Sequence, residues 1–298
     1  MAFTGLRRAV RHATSRRDEQ AAAQYADPDL VRGYAEAYES GRATRYFQSR
    51  LHAVDEALRP VSGALLDVGC GPGMLVRHLL DTRPGDFHIT ACDRSAAMIE
   101  AVAERAGTSD VGLFVARIED MPFPDASFDV VVAMGVLEYA RAREGVRELA
   151  RVVRPGGLAV VSMLNPTSPY RLVEWCLYWP FLRLLAQVER LAGVPPGRRH
   201  TVPKSGIRAV PARWLRRMLR GAGFEPADLL YYDVTPFVPP LDKVIRERRQ
   251  GWRDHIDRTV SRGPGRWMGT GYLMTARRAG HAPGRAVRRA SVASASRA

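Results

Sequence analysis

The 298-residue sequence predicts an α/β fold, with a mostly parallel sheet and helices on both of its faces. Two observations carry this. From Ala64 to Met163, short apolar runs alternate with stretches of helical period, and the first run ends in the glycine-rich turn Asp67-Val68-Gly69-Cys70-Gly71-Pro72-Gly73. Strands alternating with helices imply parallel pairing through right-handed crossovers, and a ligand crevice at the carboxyl ends of the strands.

The elements follow in order. Residues 1–17 are basic and read as a flexible N-terminus. Residues 18–60 read as a helical cap, with Tyr25, Tyr34, Tyr38, Tyr46 and Phe47 spread along it and Pro28 and Gly41 as punctuation. The main domain is expected over 61–278. The run Ala64 to Gly69 is its first strand, and helical spacing restarts at Met74 and continues to Leu80. A strand over Phe87 to Cys92, a helix over Ala96 to Arg105 and a strand over Val111 to Ala116 come next. Phe128 to Met134 is almost continuously apolar, as suits a strand buried on both faces. Val146 to Val153 is a helix stopped by Pro155-Gly156-Gly157, and Leu158 to Met163 is the fifth strand. An insertion at about 166–210 contains an aromatic helical stretch, Tyr170 to Leu191, interrupted at Pro180. The fold then resumes with a helix over Pro211 to Gly221 and strands over Phe224 to Asp233 and Gly271 to Ala276. Residues 279–298, rich in Ala, Ser, Gly and Arg, read as a disordered basic tail.

Composition narrows the class. At 46% hydrophobic residues, the chain can bury one sizeable core. The stretch Leu172 to Leu191 contains Glu174, Arg183, Gln187 and Glu189, whereas a membrane-spanning helix needs about 20 nearly uncharged residues. No apolar run follows the basic start, so no secretory signal is read. Cys70, Cys92 and Cys176 have neither paired nor metal-ligand spacing, which suits a reducing cytoplasm and gives no metal site. The formal net charge is +14, almost all from arginine, since Lys204 and Lys243 are the only lysines. Such a charge suits nucleic acid, an anionic membrane surface or acidic substrates. A solvated basic surface is the simpler reading, and nucleic acid is not the expected partner.

Chemistry concentrates in four motifs. In Asp67-x-Gly69-x-Gly71-x-Gly73, glycines let the backbone approach a ligand closely where a strand turns into a helix. Taken alone, the turn suits a dinucleotide, a phosphate or no ligand, and Gly73 also fits a packing role. Asp93 ends the second strand, where a carboxylate can accept hydrogen bonds from ribose hydroxyls. The third motif runs from Arg117-Ile118-Glu119-Asp120-Met121-Pro122-Phe123-Pro124 into Asp125-x-Ser127-Phe128-Asp129. Here Asp129 reads as a hydrogen-bonding residue at the strand entry. The fourth is Leu149-x-Arg151-Val152-Val153-Arg154-Pro155-Gly156-Gly157, whose glycines read as a turn.

Together these motifs resemble the class I methyltransferases, in particular the broad small-molecule group with LDxGCGxG, LPFxDxSFD and LRPGG signatures. The resemblance covers about Ala64 to Met163, with a weaker echo at Leu215 to Phe224. It implies a Rossmann-like, mostly parallel seven-stranded sheet and S-adenosylmethionine as cofactor. It places Asp67, Gly69 and Gly71 at the methionine end, with Cys70 and Arg94 as further cofactor-binding candidates. Asp93 would hold the ribose, Ile118 and Glu119 would flank the adenine, and Met134 or Gly135 would line the site beyond the fourth strand. Where the group usually has an Asp for the adenine amino group, this chain has Arg117, with Glu119 or a backbone carbonyl as the alternative acceptor.

Methyl transfer depends on positioning, and an oxygen acceptor of high pKa benefits from a general base. Of the seven histidines, His200 and His255 lie in the half expected to cover the acceptor, and Tyr139 follows the fourth strand. These three are the catalytic candidates. Trp175, Tyr178, Trp179 and Phe181 suit an apolar or amphipathic acceptor, packing on the sheet, or contact with a lipid interface. The reading is therefore methyl transfer to a small or medium organic acceptor, on oxygen, of secondary-metabolite type. The alternative is a membrane-associated lipid or quinone methyltransferase. An RNA methyltransferase ranks behind both, because Met134-Gly135-Val136-Leu137-Glu138 stands where an Asn/Asp-Pro-Pro-Tyr/Phe motif would be. A cytoplasmic location, with peripheral membrane contact as an option, and a monomer or homodimer complete the expectation.

Overall fold

A computed structural model of the chain describes residues 28–39, 44–200, 207–235, 238 and 263–280. The basic start over 1–17, residues 18–27, the segment containing His255 and the tail from 281 onward lie outside the described residues.

Among the described residues two helices come first, α1 (Pro28–Glu39) and α2 (Thr44–Leu58). Proline suits the first turn of α1, where its missing N–H has no helical partner to lose. In α2 the buried stripe is Arg50, Ala53, Val54 and Leu58, so an arginine occupies an otherwise apolar face.

The alternating core is β1 (Gly63–Val68), α3 (Met74–Thr82), β2 (Phe87–Asp93), α4 (Ala96–Ala106), β3 (Gly112–Val115), β4 (Phe128–Met134), α5 (Ala142–Val152) and β5 (Val153–Leu164). Helix α5 starts earlier than its apolar period suggests. Its first turn is polar and carries Glu144, placed favourably at the helix N-terminus and paired with Arg141 at 2.6 Å. Strand β5 starts at Val153, opposite Phe128, and pairing resumes only at Leu158 opposite Val130. The residues between, including Pro155-Gly156-Gly157, bulge out of register, with Gly156 at φ +80°.

After β5 come α6 (Pro169–Val173), a π turn (Glu174–Tyr178) and α7 (Trp179–Leu191). The interruption expected at Pro180 falls in the turn before it. Pro180 has no N–H to donate and its ring crowds the preceding turn, and the Trp179 N–H reaches back five residues to the Glu174 carbonyl. Helix α8 (Ala212–Gly221), β6 (Phe224–Val234) and β7 (Gly269–Arg278) complete the order.

The seven strands line up as β3-β2-β1-β4-β5-β7-β6. Pairings from β3 through β5 are parallel, and β7 runs antiparallel to both β5 and β6. Period-2 alternation splits the apolar strand residues between two cores. Leu65, Val130, Val132 and Val160 pack with Leu75 and Leu79 of α3 and with Val54 and Leu58 of α2. Leu66, Val131, Ala133 and Val161 face the other way, against Leu149 of α5 and Leu215 and Leu219 of α8. At the amino end of the sheet, Asp129 accepts from the Ala64 N–H at 2.8 Å and pairs with Arg154 at 2.6 Å. No described helix is long and apolar enough to cross a membrane.

Leu149 is fully buried and Leu191 is 84% exposed. Leu149→Ala should cost about 2–5 kcal/mol in urea unfolding, whereas Leu191→Ala should stay within about 0.5 kcal/mol of the parent. Equal effects would contradict the two-sided core.

Candidate active site at the carboxyl ends of the strands

The turn after β1 is pinned to the end of β2. The N–H groups of Gly69 and Cys70 both donate to the Cys92 carbonyl, at 2.7 and 3.1 Å. Gly71 has φ +53°, in the left-handed region that side chains disfavour, and a Cβ there would meet only the Tyr34 ring, at 3.9 Å. Its open side therefore faces a crevice. Gly73 differs, because a Cβ there would press on Val102 of α4 at 3.1 Å, which is a packing constraint.

Asp93 is held from two sides. Its carboxylate accepts from the Gly71 N–H at 3.1 Å and from the Ser95 N–H at 2.9 Å. Burial raises its pKa, and these two N–H groups partly offset the rise. Asp67 is fully buried, and neither of its carboxylate oxygens has a hydrogen-bond partner among the described residues. Burial, reinforced by the nearby Asp93, pushes its carboxyl up to about 7, against a smaller opposing effect of Arg50. An unsatisfied buried carboxylate is costly unless a ligand completes it.

The crevice encloses about 870 Å³, counting its solvent-open mouth. Gly69, Cys70, Gly71, Asp93 and Arg94 form one wall, and Arg117, Ile118 and Glu119 form another. Met134, Gly135 and Tyr139 line the side beyond β4, and Tyr34 reaches in from the cap. All the sequence-selected cofactor residues therefore border one space except Asp67, which lies at the end of β1 leading into the turn. Glu119 is held by the Arg141 N–H at 2.9 Å and faces Arg117 at 3.6 Å. The unusual Arg117 is thus an ion-pair partner of the residue beside it.

Behind Gly135 lies a buried polar cluster that sequence reasoning missed. The Arg50 guanidinium comes so close that a Cβ on Gly135 would stand 2.4 Å from its Nη1. The same group lies 5.3 Å from the Tyr46 ring centre and 5.2 Å from that of Phe47. The Tyr46 and Tyr232 hydroxyls are 3.2 Å apart. Glu138, also buried, accepts from the Leu164 N–H and so ties the segment after β4 to the end of β5. Burial pushes its carboxyl up to about 7, with the Leu164 N–H, Arg50 and Arg171 opposing. A signal was available, since Arg50 interrupts the apolar stripe of α2.

Of the three catalytic candidates, only Tyr139 borders the crevice. His200 is exposed and tied to Glu189 of α7, through its ring Nδ1 at 2.5 Å and its backbone N–H at 2.7 Å. His255 lies outside the described residues. Trp175 and Phe181 are exposed, Tyr178 and Trp179 are half-buried, and none of the four lines this crevice. Among the described residues, no His, Cys, Asp or Glu cluster is arranged to hold a metal ion.

The family described as "Methyltransferase domain" matches residues 66–161. The ubiquinone/menaquinone biosynthesis C-methyltransferase of Geotalea daltonii is 27% identical over 191 residues, which cover 62% of this chain and 80% of that protein. The 27-O-demethylrifamycin SV methyltransferase of Amycolatopsis mediterranei is 32% identical over 196 residues, 64% of this chain and 63% of its own length. An uncharacterized methyltransferase of Mycobacterium bovis is 30% identical over 179 residues, 57% of this chain and 89% of its own length. Among solved structures, geranyl diphosphate C-methyltransferase from Streptomyces coelicolor, in complex with S-adenosyl-L-homocysteine, shares the fold. Its TM-score is 0.55 at 15% identity, with 89% of this chain and 99% of that one covered. The glycine turn, the acidic end of β2 and the seven-stranded order thus meet in one lineage, and the chain belongs to the class I S-adenosylmethionine-dependent methyltransferases.

Proposed function

We propose that the enzyme methylates a small or medium, apolar or amphipathic organic acceptor of secondary metabolism, on oxygen. The carrying observation is Tyr139, a hydroxyl-bearing residue that borders the crevice beyond β4 together with Met134 and Gly135 and suits an acceptor with an oxygen function. The likeness to the rifamycin-type methyltransferase supports the same reading.

The crevice fits the cofactor on two counts, the cradle at Gly71 and the carboxylate of Asp67, which has no hydrogen-bond partner among the described residues. S-adenosylmethionine, when bound, supplies an electrophilic methyl group on a positively charged sulfur. Asp67 and the Gly69–Gly71 turn would hold the cationic methionine end, with Cys70 and Arg94 beside it. Asp93 would accept from ribose hydroxyls, and Ile118 and Glu119 would flank the adenine, with Met134 beyond β4. Tyr139, which borders the crevice, would orient the acceptor. A base role for His200 has no support from its exposed pairing with Glu189, and His255 stands as a sequence-derived candidate.

A second reading, methyl transfer to carbon of a quinone or lipid acceptor, is favoured by the likeness to the ubiquinone/menaquinone enzyme. Incubation with methyl-labelled cofactor separates the two, using a phenolic polyketide and a demethylated quinol as acceptors. The first reading expects an O-methyl product by mass spectrometry and NMR. Transfer confined to a ring carbon of the quinol would overturn it.

Asp93→Ala removes one or two hydrogen bonds to the ribose and should weaken cofactor binding by about 1–3 kcal/mol in calorimetry. An unchanged affinity would take Asp93 out of the site.

Asp67 has a further pH signature. Its carboxyl sits at about 7 in the folded chain against an ordinary 3.8, so the folded state holds this proton more tightly than the unfolded state. Stability from this group is therefore present below about pH 4 and is lost as the pH rises to about 7. Asp67→Asn should flatten that decline in urea titrations while weakening cofactor binding. A parallel pH profile in parent and variant would contradict the burial of an unsatisfied carboxylate.

A further inference from the structure

Leu177, Phe181, Leu184, Val188 and Leu191 follow one another at spacings of four, three, four and three residues, so they share one face of the insertion helix. Each is between 53% and 84% exposed, and no residue of the π turn or of α7 is buried. A contiguous apolar stripe of this length calls for an occupant.

The charges identify it. The helix carries two acidic residues, and both are already matched within the chain, Glu174 by Arg171 at 2.5 Å and Glu189 by His200 at 2.5 Å. Arg183 and Arg190 have no ion pair among the described residues and lie on the side of the helix away from the apolar stripe. Arg198 follows just beyond its end. The outward charge is therefore cationic, on a chain of formal net charge +14. Helix pairing between two copies would want charged residues flanking the stripe, but Pro180, Leu185 and Gln187 stand there. A broad apolar face with arginines opposite is instead the pattern of a helix lying in the plane of a lipid interface. We infer that the face of Leu177, Phe181, Leu184, Val188 and Leu191 docks on an anionic lipid bilayer. The insertion leaves β5 at Leu164, at the same end of the sheet as the crevice. The inference stands whichever acceptor atom is methylated.

The test is flotation of the full chain with vesicles of phosphatidylcholine alone and of phosphatidylcholine mixed with phosphatidylglycerol. Cys176 lies in the helix and is exposed, while Cys70 and Cys92 are buried, so a polarity-sensitive dye on Cys176 reports local insertion. The expected result is flotation and a blue-shifted dye with the anionic vesicles. Phe181→Glu with Leu184→Glu should abolish both without changing circular dichroism or cofactor affinity. Arg183→Gln and Arg190→Gln should each lower partitioning about fivefold, from roughly 1 kcal/mol per arginine near an anionic surface. Absence of flotation would overturn the inference. Flotation that persists in the Phe181→Glu, Leu184→Glu variant would do so too, by placing the contact elsewhere. A parent dimer that this variant turns into a monomer would assign the face to a second copy instead. Failure of the acceptor reading would appear only in the product assay and would leave flotation unchanged.

Discussion

The paired N–H donation from Gly69 and Cys70 to the Cys92 carbonyl holds the end of β1 against the end of β2. Everything on the cofactor side of the crevice depends on that contact. It sets the direction of the chain through Gly71, whose N–H then orients Asp93. It also keeps Asp67 fully buried, where no group among the described residues completes its carboxylate. Left-handed backbone at Gly69 and Gly71 makes this geometry possible without strain.

Electrostatically, the same end of the sheet gathers acids that burial drives toward their neutral forms, namely Asp67, Asp93 and Glu138. Arg50 opposes the rise at both Asp67 and Glu138, and its side chain comes from α2, outside the alternating core. The cap therefore serves the site as well as shielding it. One guanidinium links the carboxylate under the cofactor turn to the tyrosine cluster behind Gly135.

The strands, their order of appearance and the cofactor residues were legible in the sequence because each rests on local chemistry. Period-2 alternation, continuous apolar runs and glycines at fixed offsets need no tertiary information. The insertion of β7 between β5 and β6 was not legible, because both edge pairings join segments far apart in the chain. The start of α5 was missed because its first turn is polar and its apolar period begins later. Arg50 and Tyr232 were missed for a related reason: 182 positions separate them, and only the packing of α2 on the far strands brings them together. His200 shows the converse. Its residue type and loop setting suggested chemistry, whereas Glu189, eleven positions earlier, takes up its ring.

The position of β7 bears on how the chain acquires its structure. Gly269–Arg278 has eight consecutive buried residues and supplies the described pairing partner of both β5 and β6. Until these residues leave the ribosome, β5 presents an open edge carrying Val160 and Val161, and β6 has no strand to join. The nascent protein thus spends the synthesis of more than a hundred residues after Leu164 with an apolar sheet edge uncovered. Pairing across such sequence separations is slow and prone to misassembly with other chains. Yield during expression should consequently be governed by the arrival of the last strand, while the cofactor turn, complete by Asp93, is finished early.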